Sequence, residues 1–432
     1  MGMKGQAAVS TLFAVVTRGL GFALRILQGR LLGAEAMGML EMASGVQQLL
    51  LTPVVSGLPA AVSRLTAREK GDNRGQTLHA AEKMALRRGA AMMVLGIVSA
   101  PFAGLVLGDM RVVPLLLIFA PALPIVSVCC VMDGCAYGLG KAFSPAVSEC
   151  AEQLVRIAVS VLLLTFFADL YLPIRAAVPT FAGLLGEGAG LMVMAAALRG
   201  VGRRDGDERH IQRQLDRLAL PMMGSRAGMS ILRSVTSMLL PRLLVMYGLS
   251  SRDAAAQIGL LQGMVMPLLF LPGIVTGAFA SLGGPQMAAR KGRAQKHLAA
   301  KLILLSLFAG MAGAVLLYLF APLIGDVLYG QSGVAPLLRK MSAGALFISL
   351  NHVLSAMLMG LGRQKALFAR QMVSGAATLM LTVFFTVHRG IAGTGMAMLM
   401  GQAMQCMLLT AEMRRSLTGR RVREAKYSPR KA

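Results

Sequence analysis

The sequence predicts an all-α polytopic membrane protein, with about twelve transmembrane helices in two parallel six-helix halves. Two observations predict the class. Of the 432 residues, 56% are hydrophobic and only 15% are charged, and the mean hydropathy is +0.65. A soluble chain of this length needs more polar surface to face water. A third observation, an internal repeat, predicts the two halves.

Apolar stretches of about 20 residues, the length that crosses a bilayer, recur along the whole chain. The predicted spans cover approximately 9–32, 39–63, 87–108, 112–134, 146–168, 175–198, 217–247, 254–282, 299–321, 336–360, 365–387 and 391–412. We expect a break at Gly57, near the inner end of the second span, because Gly-Leu-Pro interrupts the helical pattern there. Kinks are expected in the seventh and eighth spans, which contain Pro221, Pro241, Pro267 and Pro272.

Basic residues alternate sharply between successive loops. The loops after the second, sixth, eighth and tenth spans are rich in arginine and lysine, as is the tail 413–432, whereas each intervening loop has one or two basic residues. The positive-inside rule therefore predicts that both termini are cytoplasmic. The formal charge of +25 reflects this topology, so nucleic acid is not an expected partner. Anionic lipid headgroups are expected at the basic loops, at about 1 kcal/mol per basic residue.

Two short motifs recur near the middle of each half. Gly138-Leu-Gly-Lys follows the fourth span, and Gly360-Leu-Gly-Arg follows the tenth, 222 residues later. Ala67-Arg-Glu-Lys-Gly and Ala289-Arg-Lys-Gly recur at the same offset after the second and eighth spans. We therefore expect a duplication with halves 1–205 and 206–412, followed by the basic tail. Two six-helix repeats are parallel, an architecture suited to alternating access with a substrate site between the halves.

Two arginines lie in the middle of the first span. Arg18 and Arg25 are seven residues apart, which is two helical turns, so they face the same side of the helix. A charge at this depth costs about 2.5–3.5 kcal/mol on insertion scales. The favourable location for both is a water-filled cavity, where an anion is a natural ligand.

The seventh span repeats this pattern with Arg226 and Arg233, again seven residues apart. The alternative for each arginine is snorkelling or pairing with a buried acid. Glu187 is the acid that lies deepest within a span, where it pairs with one arginine or couples transport to a cation. Glu41, near the outer end of the second span, pairs with Arg30, pairs with a cavity arginine, or faces water. Together these residues predict a cationic interior.

Other polar residues within the spans favour structural roles. Glu152 and Arg156 form an i,i+4 pair of the kind that stabilises a helix. Interhelical hydrogen bonds are the expected role of Gln47, Gln48 and Asn351.

Chemistry-bearing motifs point away from catalysis. The five cysteines have no metal-ligand spacing, and the sequence has no hydrolase, zinc-protease or nucleotide-binding motif. We expect a membrane transporter rather than an enzyme, with no cofactor. The membrane potential, Na+ or H+ is then the expected source of energy.

Three segments carry a family resemblance. They are TRGLGFALRILQGRLLGAEAMG from Thr17, GLPAAVSRL from Gly57, and GLGKAFSPAVSECAEQLVRI from Gly138. They resemble the bacterial lipid-linked oligosaccharide flippases of the multidrug/oligosaccharidyl-lipid/polysaccharide exporter (MOP) superfamily, whose fold is MATE-like. The stage V sporulation protein B and polysaccharide-transporter branch is most similar, and the lipid II flippases are related.

The resemblance implies a flippase that moves a polyprenyl-pyrophosphate-linked sugar across the bacterial cytoplasmic membrane. Arg18 and Arg25 match cavity arginines of the first helix in that family, Glu41 lies near an acidic position of the second helix, and Arg226 or Arg233 is a looser match. Twelve spans rather than fourteen separate this chain from lipid II flippases, which have an extra helix pair that forms a lipid-tail groove. The alternatives are a drug/cation antiporter of the same superfamily, which needs acids in its cavity, and a non-transporting scaffold for sporulation or wall assembly.

Overall fold

The computed structural model describes residues 3–69, 73–167, 169–202 and 208–426, and within these ranges the chain is helical, with no β-strand. A 3-10 turn precedes α4, and π-helical segments at Gly259–Val265 and Leu323–Tyr329 precede α10 and α13. The predicted all-α class is confirmed. The helices are α1 Met3–Val55, α2 Leu58–Arg68, α3 Asn73–Leu107, α4 Val113–Phe119, α5 Ala122–Gly138, α6 Phe143–Phe166, α7 Leu172–Ala197, α8 Glu208–Met246, α9 Ser251–Ile258, α10 Met266–Leu269, α11 Pro272–Ala289, α12 Gly292–Leu319, α13 Val334–Met341, α14 Gly344–Gly360 and α15 Gln364–Lys426.

Six described helices are long and apolar enough to cross a membrane, and three bent helix pairs bring the number to nine. Two of the six, α1 and α15, each bend at a glycine with positive φ, Gly33 (78°) and Gly390 (59°), so each supplies two segments. α6 adds one more, although Glu152 and Arg156 make its first half more polar. Divided in this way, the described helices give twelve segments, the number that the sequence predicts, whereas length and composition alone support up to nine spans.

Breaks occur at two of the predicted places. α1 ends at Val55 and α2 begins at Leu58, and between them Gly57 has a φ of 84°. In the eighth span the chain bends by 48° before Pro272. α8 continues through its two prolines as one helix, so the kink expected in the seventh span stays a prediction.

Contacts divide the chain into two compact units. The first contains Met1–Val245 and Leu249–Gly259, and the second contains Met246–Gly248 and Leu260–Ala432. Buried apolar side chains of α2, α3, α5, α7 and α8 form the core of the first unit, among them Leu58, Leu78, Met132, Met194 and Leu215. The core of the second unit joins α11, α12, α14 and α15, with Met287, Leu298, Met357 and Leu409. The duplication boundary near residue 205 stays a prediction.

The repeated motifs have the same local structure in both units. Gly138 ends α5 and Gly360 ends α14, and two residues later Gly140 and Gly362 have φ values of 73° and 72°. The residues after α2 and α11 are both extended, with ψ values of 157° and 154°. Because a positive φ favours glycine, the Gly-Leu-Gly motif ends a helix in the same way in each repeat.

The bend of α1 shapes the first unit. Gly33 interrupts the helical hydrogen bonds, and the carbonyl oxygen of Leu31 accepts a hydrogen bond from Nη2 of Arg175 at 2.7 Å. On the other side of the bend, Glu35 forms an ion pair with Arg111. Side chains from α7 and from the turn before α4 thus satisfy polar groups around the bend, which keeps the two arms of α1 in a defined arrangement.

Candidate functional site

A cavity of about 680 Å³ lies in the first unit, with lining residues from α1, α4, α5, α6, α7 and α8. This volume is within the range of small-molecule binding sites, about 300–1,000 Å³. More than half of its lining residues are polar, which is unusual inside an apolar helical bundle. The polar lining residues include Arg25, Gln28, Glu41, Ser44, Gln47, Gln48, Thr52, Gln153, Arg156, Thr180 and Glu187.

Arg25 and Glu41 form an ion pair in the cavity wall. Sixteen residues separate them, which is about 24 Å along a straight helix. Each lies eight residues from Gly33, so the bend there brings the two side chains to the same depth. Their exposed fractions are 29% and 11%. Of the three possibilities for Glu41 in the sequence, the structure shows pairing with a cavity arginine.

Arg156 is the second arginine of the wall, and one of its nitrogens holds two carboxylates. Nη2 is 2.5 Å from Oε1 of Glu152 and 3.5 Å from Oε1 of Glu187. Glu152 is the expected i,i+4 partner within α6, whereas Glu187 comes from α7. Glu187 therefore pairs with an arginine, as one of the two expectations has it, and in the described part of the chain that arginine is Arg156.

The remaining predicted arginines lie elsewhere. Arg18 is exposed, does not line this cavity, and has no ion pair with another described residue. Arg233 is also exposed and outside the lining. The side chain of Arg226 lies outside the described residues. Of the predicted site residues, the structure thus brings together Arg25, Glu41 and Glu187 around one cavity. The binding roles of all six stay predictions.

The charges in the described wall are balanced. Arg25 and Arg156 are matched by Glu41 and Glu187. This differs from the cationic interior that the sequence predicts, because Arg18 and Arg233 lie outside this wall and two carboxylates lie inside it. Placing a carboxylate beside each buried guanidinium lowers the cost of keeping that charge away from water.

Sequence reasoning missed part of the wall. The pair of Glu152 with Arg156 indicated only helix stability, although Arg156 also faces the cavity. The sequence predicts that Gln47 and Gln48 join helices, but both line the cavity, and Nε2 of Gln47 has no hydrogen-bond partner among the described residues. Asn351 in the second unit does join helices, because its Nδ2 donates to Oε1 of Gln402 at 2.9 Å. A signal was present, since polar residues recur along one stretch of α1 between positions 41 and 52.

Multiple apolar helices and a polar, charged cavity in the first unit define a multi-pass membrane protein with the architecture of a transporter. The fold is similar to a structure described as lipid II flippase MurJ in an inward closed conformation, with a TM-score of 0.77 and 15% identity over 94% of this chain and 87% of that chain. It is also similar to an inward-facing multidrug resistance MATE family transporter of the MOP superfamily, with a TM-score of 0.71 and 16% identity over 93% and 94% of the two chains. The predicted MATE-like fold is confirmed.

The family model for polysaccharide biosynthesis proteins matches residues 4–282. The chain belongs to the polysaccharide biosynthesis protein family. A curated relative, stage V sporulation protein B of Bacillus subtilis (strain 168), is 27% identical over 426 residues, which cover 92% of this chain and 80% of that protein. These matches confirm the predicted family, and the similar solved structures are transporters rather than enzymes.

Proposed function

We propose that the chain is a flippase for a lipid-linked sugar. It moves a cell-wall or polysaccharide precursor on polyprenyl pyrophosphate from the cytoplasmic to the outer leaflet of the bacterial cytoplasmic membrane. The observation that carries the proposal is the polar cavity of about 680 Å³ among apolar helices. A sugar headgroup loses its hydrogen bonds with water when it enters hydrocarbon, and polar side chains around a cavity replace them. The family assignment and the name of the MurJ structure favour the same substrate class.

Arginine suits the pyrophosphate, because its planar guanidinium donates two parallel hydrogen bonds and stays charged at any physiological pH. In the structure Oε1 of Glu41 accepts a hydrogen bond from Nη2 of Arg25. A phosphate that approaches Arg25 competes with this carboxylate, so Glu41 tunes the affinity for the anion. Arg18 lies two turns from Arg25 on the same side of α1 and extends the anion site along the lipid's path. Arg226 and Arg233 are the proposed contacts from α8.

Energy for a directed cycle comes from the membrane. Moving one elementary charge through the membrane potential changes the free energy by about 2.3 kcal/mol per 100 mV. Na+ or H+ is the alternative source, and Glu187 is the proposed coupling residue because it lies in the cavity wall. The loop charges favour a cytoplasmic position for both termini and for the basic loops, and anionic lipid headgroups are the proposed contacts of those loops.

A second candidate is a drug/cation antiporter. The carboxylates of Glu41 and Glu187 in the cavity wall favour it, because an organic cation needs acidic partners. In the structure both carboxylates are bound to arginines. A cation must therefore displace a guanidinium from each, which makes this candidate the weaker one.

Translocation of a labelled polyprenyl-pyrophosphate sugar in proteoliposomes tests the proposal. We expect Arg18→Lys and Arg25→Lys each to slow translocation, because lysine keeps the charge but loses the bidentate geometry. Alanine at both positions is expected to slow it by at least tenfold. Arg87→Lys, at an exposed position of α3, is the matched control and should leave translocation unchanged. Normal translocation by the double alanine variant contradicts the role of this pair, and export of organic cations instead of the lipid supports the antiporter.

A further inference from the structure

We infer that the first three turns of α8, residues 208–219, form a gate over one end of the cavity in the first unit. Ion pairs with α3 hold this gate segment closed. The inference concerns access to the cavity, so it goes beyond the proposed function and does not depend on which substrate the chain carries. It follows from the position of the gate segment across the break in α1, from the contacts that hold it, and from the residues that join it to the rest of α8.

The gate segment lies where α1 ends at the cavity. Val55 and Ser56 line the cavity at this end, and the break at Gly57 follows directly. α8 crosses the break so closely that a Cβ on Gly57 would lie 2.6 Å from the carbonyl oxygen of Ala219. Ala219 is fully buried, and Ser56 is only 8% exposed. The gate segment therefore restricts the access of water to this end of the cavity, which is the cytoplasmic end in the predicted topology.

Two ion pairs with α3 hold the gate segment in place. Oε1 of Glu208 accepts a hydrogen bond from Nζ of Lys83, and Oδ1 of Asp216 accepts one from Nη2 of Arg88. The exposed fractions of the four side chains lie between 25% and 40%. Ion pairs that are this accessible to water contribute little to stability, and dissolved salt weakens them further. They suit a contact that opens and closes.

The composition of the gate segment allows it to move away from α3. Of its twelve residues, two are buried, Leu215 and Ala219, so opening exposes little apolar surface. Pro221 follows the segment, and because it has no backbone N–H, it cannot donate the helical hydrogen bond to the carbonyl oxygen of Arg217. Gly224, three residues later, is exposed, and a Cβ there would have no atom within 4 Å. The turn from Pro221 to Gly224 is therefore the part of α8 that bends most easily.

Thiol labelling of the purified protein in detergent measures how often the gate opens. In a cysteine-free background, Ser56→Cys places a single thiol under the gate segment, where opening limits its reaction with a water-soluble reagent. Ser160→Cys on α6, at a position that is 1% exposed and outside the cavity lining, reports loosening of the first unit as a whole. We expect Arg88→Gln and Asp216→Asn each to raise the labelling rate of Ser56→Cys by about two- to fivefold, the effect of losing a partly exposed ion pair. The labelling rate of Ser160→Cys should not change.

The double substitution separates loss of the ion pair from other effects. Arg88→Gln and Asp216→Asn together should raise the rate no further than the larger single effect, because either substitution already breaks the pair. Arg370→Gln, which breaks the ion pair with Glu412 in the second unit, is the matched control and should leave the rate unchanged. Effects of the two substitutions that multiply, an unchanged rate in both single variants, or an equal rise in Ser160→Cys overturns the gate.

Salt provides a second test of the same contact. Raising the ionic strength from about 0.05 M to about 0.5 M screens partly exposed charges. We expect this change to raise the labelling rate of Ser56→Cys, but to have little effect once Lys83→Gln and Arg88→Gln have removed both ion pairs. Equal salt dependence in the two proteins, or none in either, overturns the inference. If the protein translocates no lipid in proteoliposomes but its labelling follows the expected pattern, the flippase proposal fails and the gate stands.

Discussion

The Arg25–Glu41 ion pair offers a quantitative test of how α1 folds back on itself. Arg25→Met, Glu41→Gln and the double substitution form a double-mutant cycle. Exposed ion pairs contribute about 0–1 kcal/mol, and breaking a fully buried pair costs about 3–5 kcal/mol. The exposed fractions of 29% and 11% place this pair between those limits. We expect each single substitution to lower the free energy of unfolding by about 1–3 kcal/mol, with a coupling energy of about 1–2 kcal/mol.

The assay is reversible unfolding of the purified variants in detergent micelles. The pair of Arg88 with Asp216 provides the control cycle, with Arg88→Met and Asp216→Asn. That pair joins α3 to α8, and its exposed fractions are 28% and 39%. Since it is more accessible to water, a coupling energy of about 0.5 kcal/mol is expected there. If the effects of the Arg25 and Glu41 substitutions are additive, or if the two cycles give equal coupling energies, the argument that burial strengthens the Arg25–Glu41 ion pair is refuted.

Two further predictions concern packing and topology. A Cβ on Gly38 would lie 1.7 Å from the carbonyl oxygen of Ala255, and a Cβ on Gly259 would lie 1.9 Å from that of Ala34. Because both distances are too short for a carbon atom, alanine at either glycine should lower the free energy of unfolding by about 1–3 kcal/mol. Gly188→Ala is the control, because nothing lies within 4 Å of the added carbon, and it should be neutral or slightly stabilising. Equal stability of all three variants would contradict the close packing at Gly38 and Gly259. A cysteine at Gln76, near the start of α3, in a cysteine-free background should be protected from an impermeant thiol reagent added to intact cells, whereas labelling from outside would exclude the cytoplasmic placement of this end of α3.

The membrane-spanning segments are predictable from the sequence because the signal is local. About 20 apolar residues span a bilayer wherever they occur, and the basic loops between them mark their ends. The break at Gly57 is predictable for the same reason, since Gly-Leu-Pro disrupts a helix on its own. Whether α8 kinks at Pro221 and Pro241 cannot be predicted from the sequence in this way, because the packing of neighbouring helices determines whether a proline bends a span.

The bend at Gly33 shows where local reasoning ends. The sequence predicts a loop over 33–38, but the structure has a single non-helical residue, and the helix resumes at once. Recognising Gly33 as the bend would also have predicted the ion pair. Arg25 and Glu41 are equidistant from it, about 12 Å along each arm, so a tight turn there brings them to the same depth.

The prediction of a cationic interior differs from the observed wall for a physical reason. Spacing along one helix shows which arginines share a face, but the partner of each arginine comes from another part of the fold. Glu41 reaches Arg25 only through the bend of α1, and Glu187 reaches Arg156 only through the packing of α6 against α7. The energy of a buried charge depends so strongly on a counter-charge that each arginine of this wall is found beside a carboxylate. Counting arginines therefore overstates the positive potential of a membrane cavity. No carboxylate of the described chain reaches the side chain of Arg18, whereas an anion that binds Arg25 has to compete with the carboxylate of Glu41.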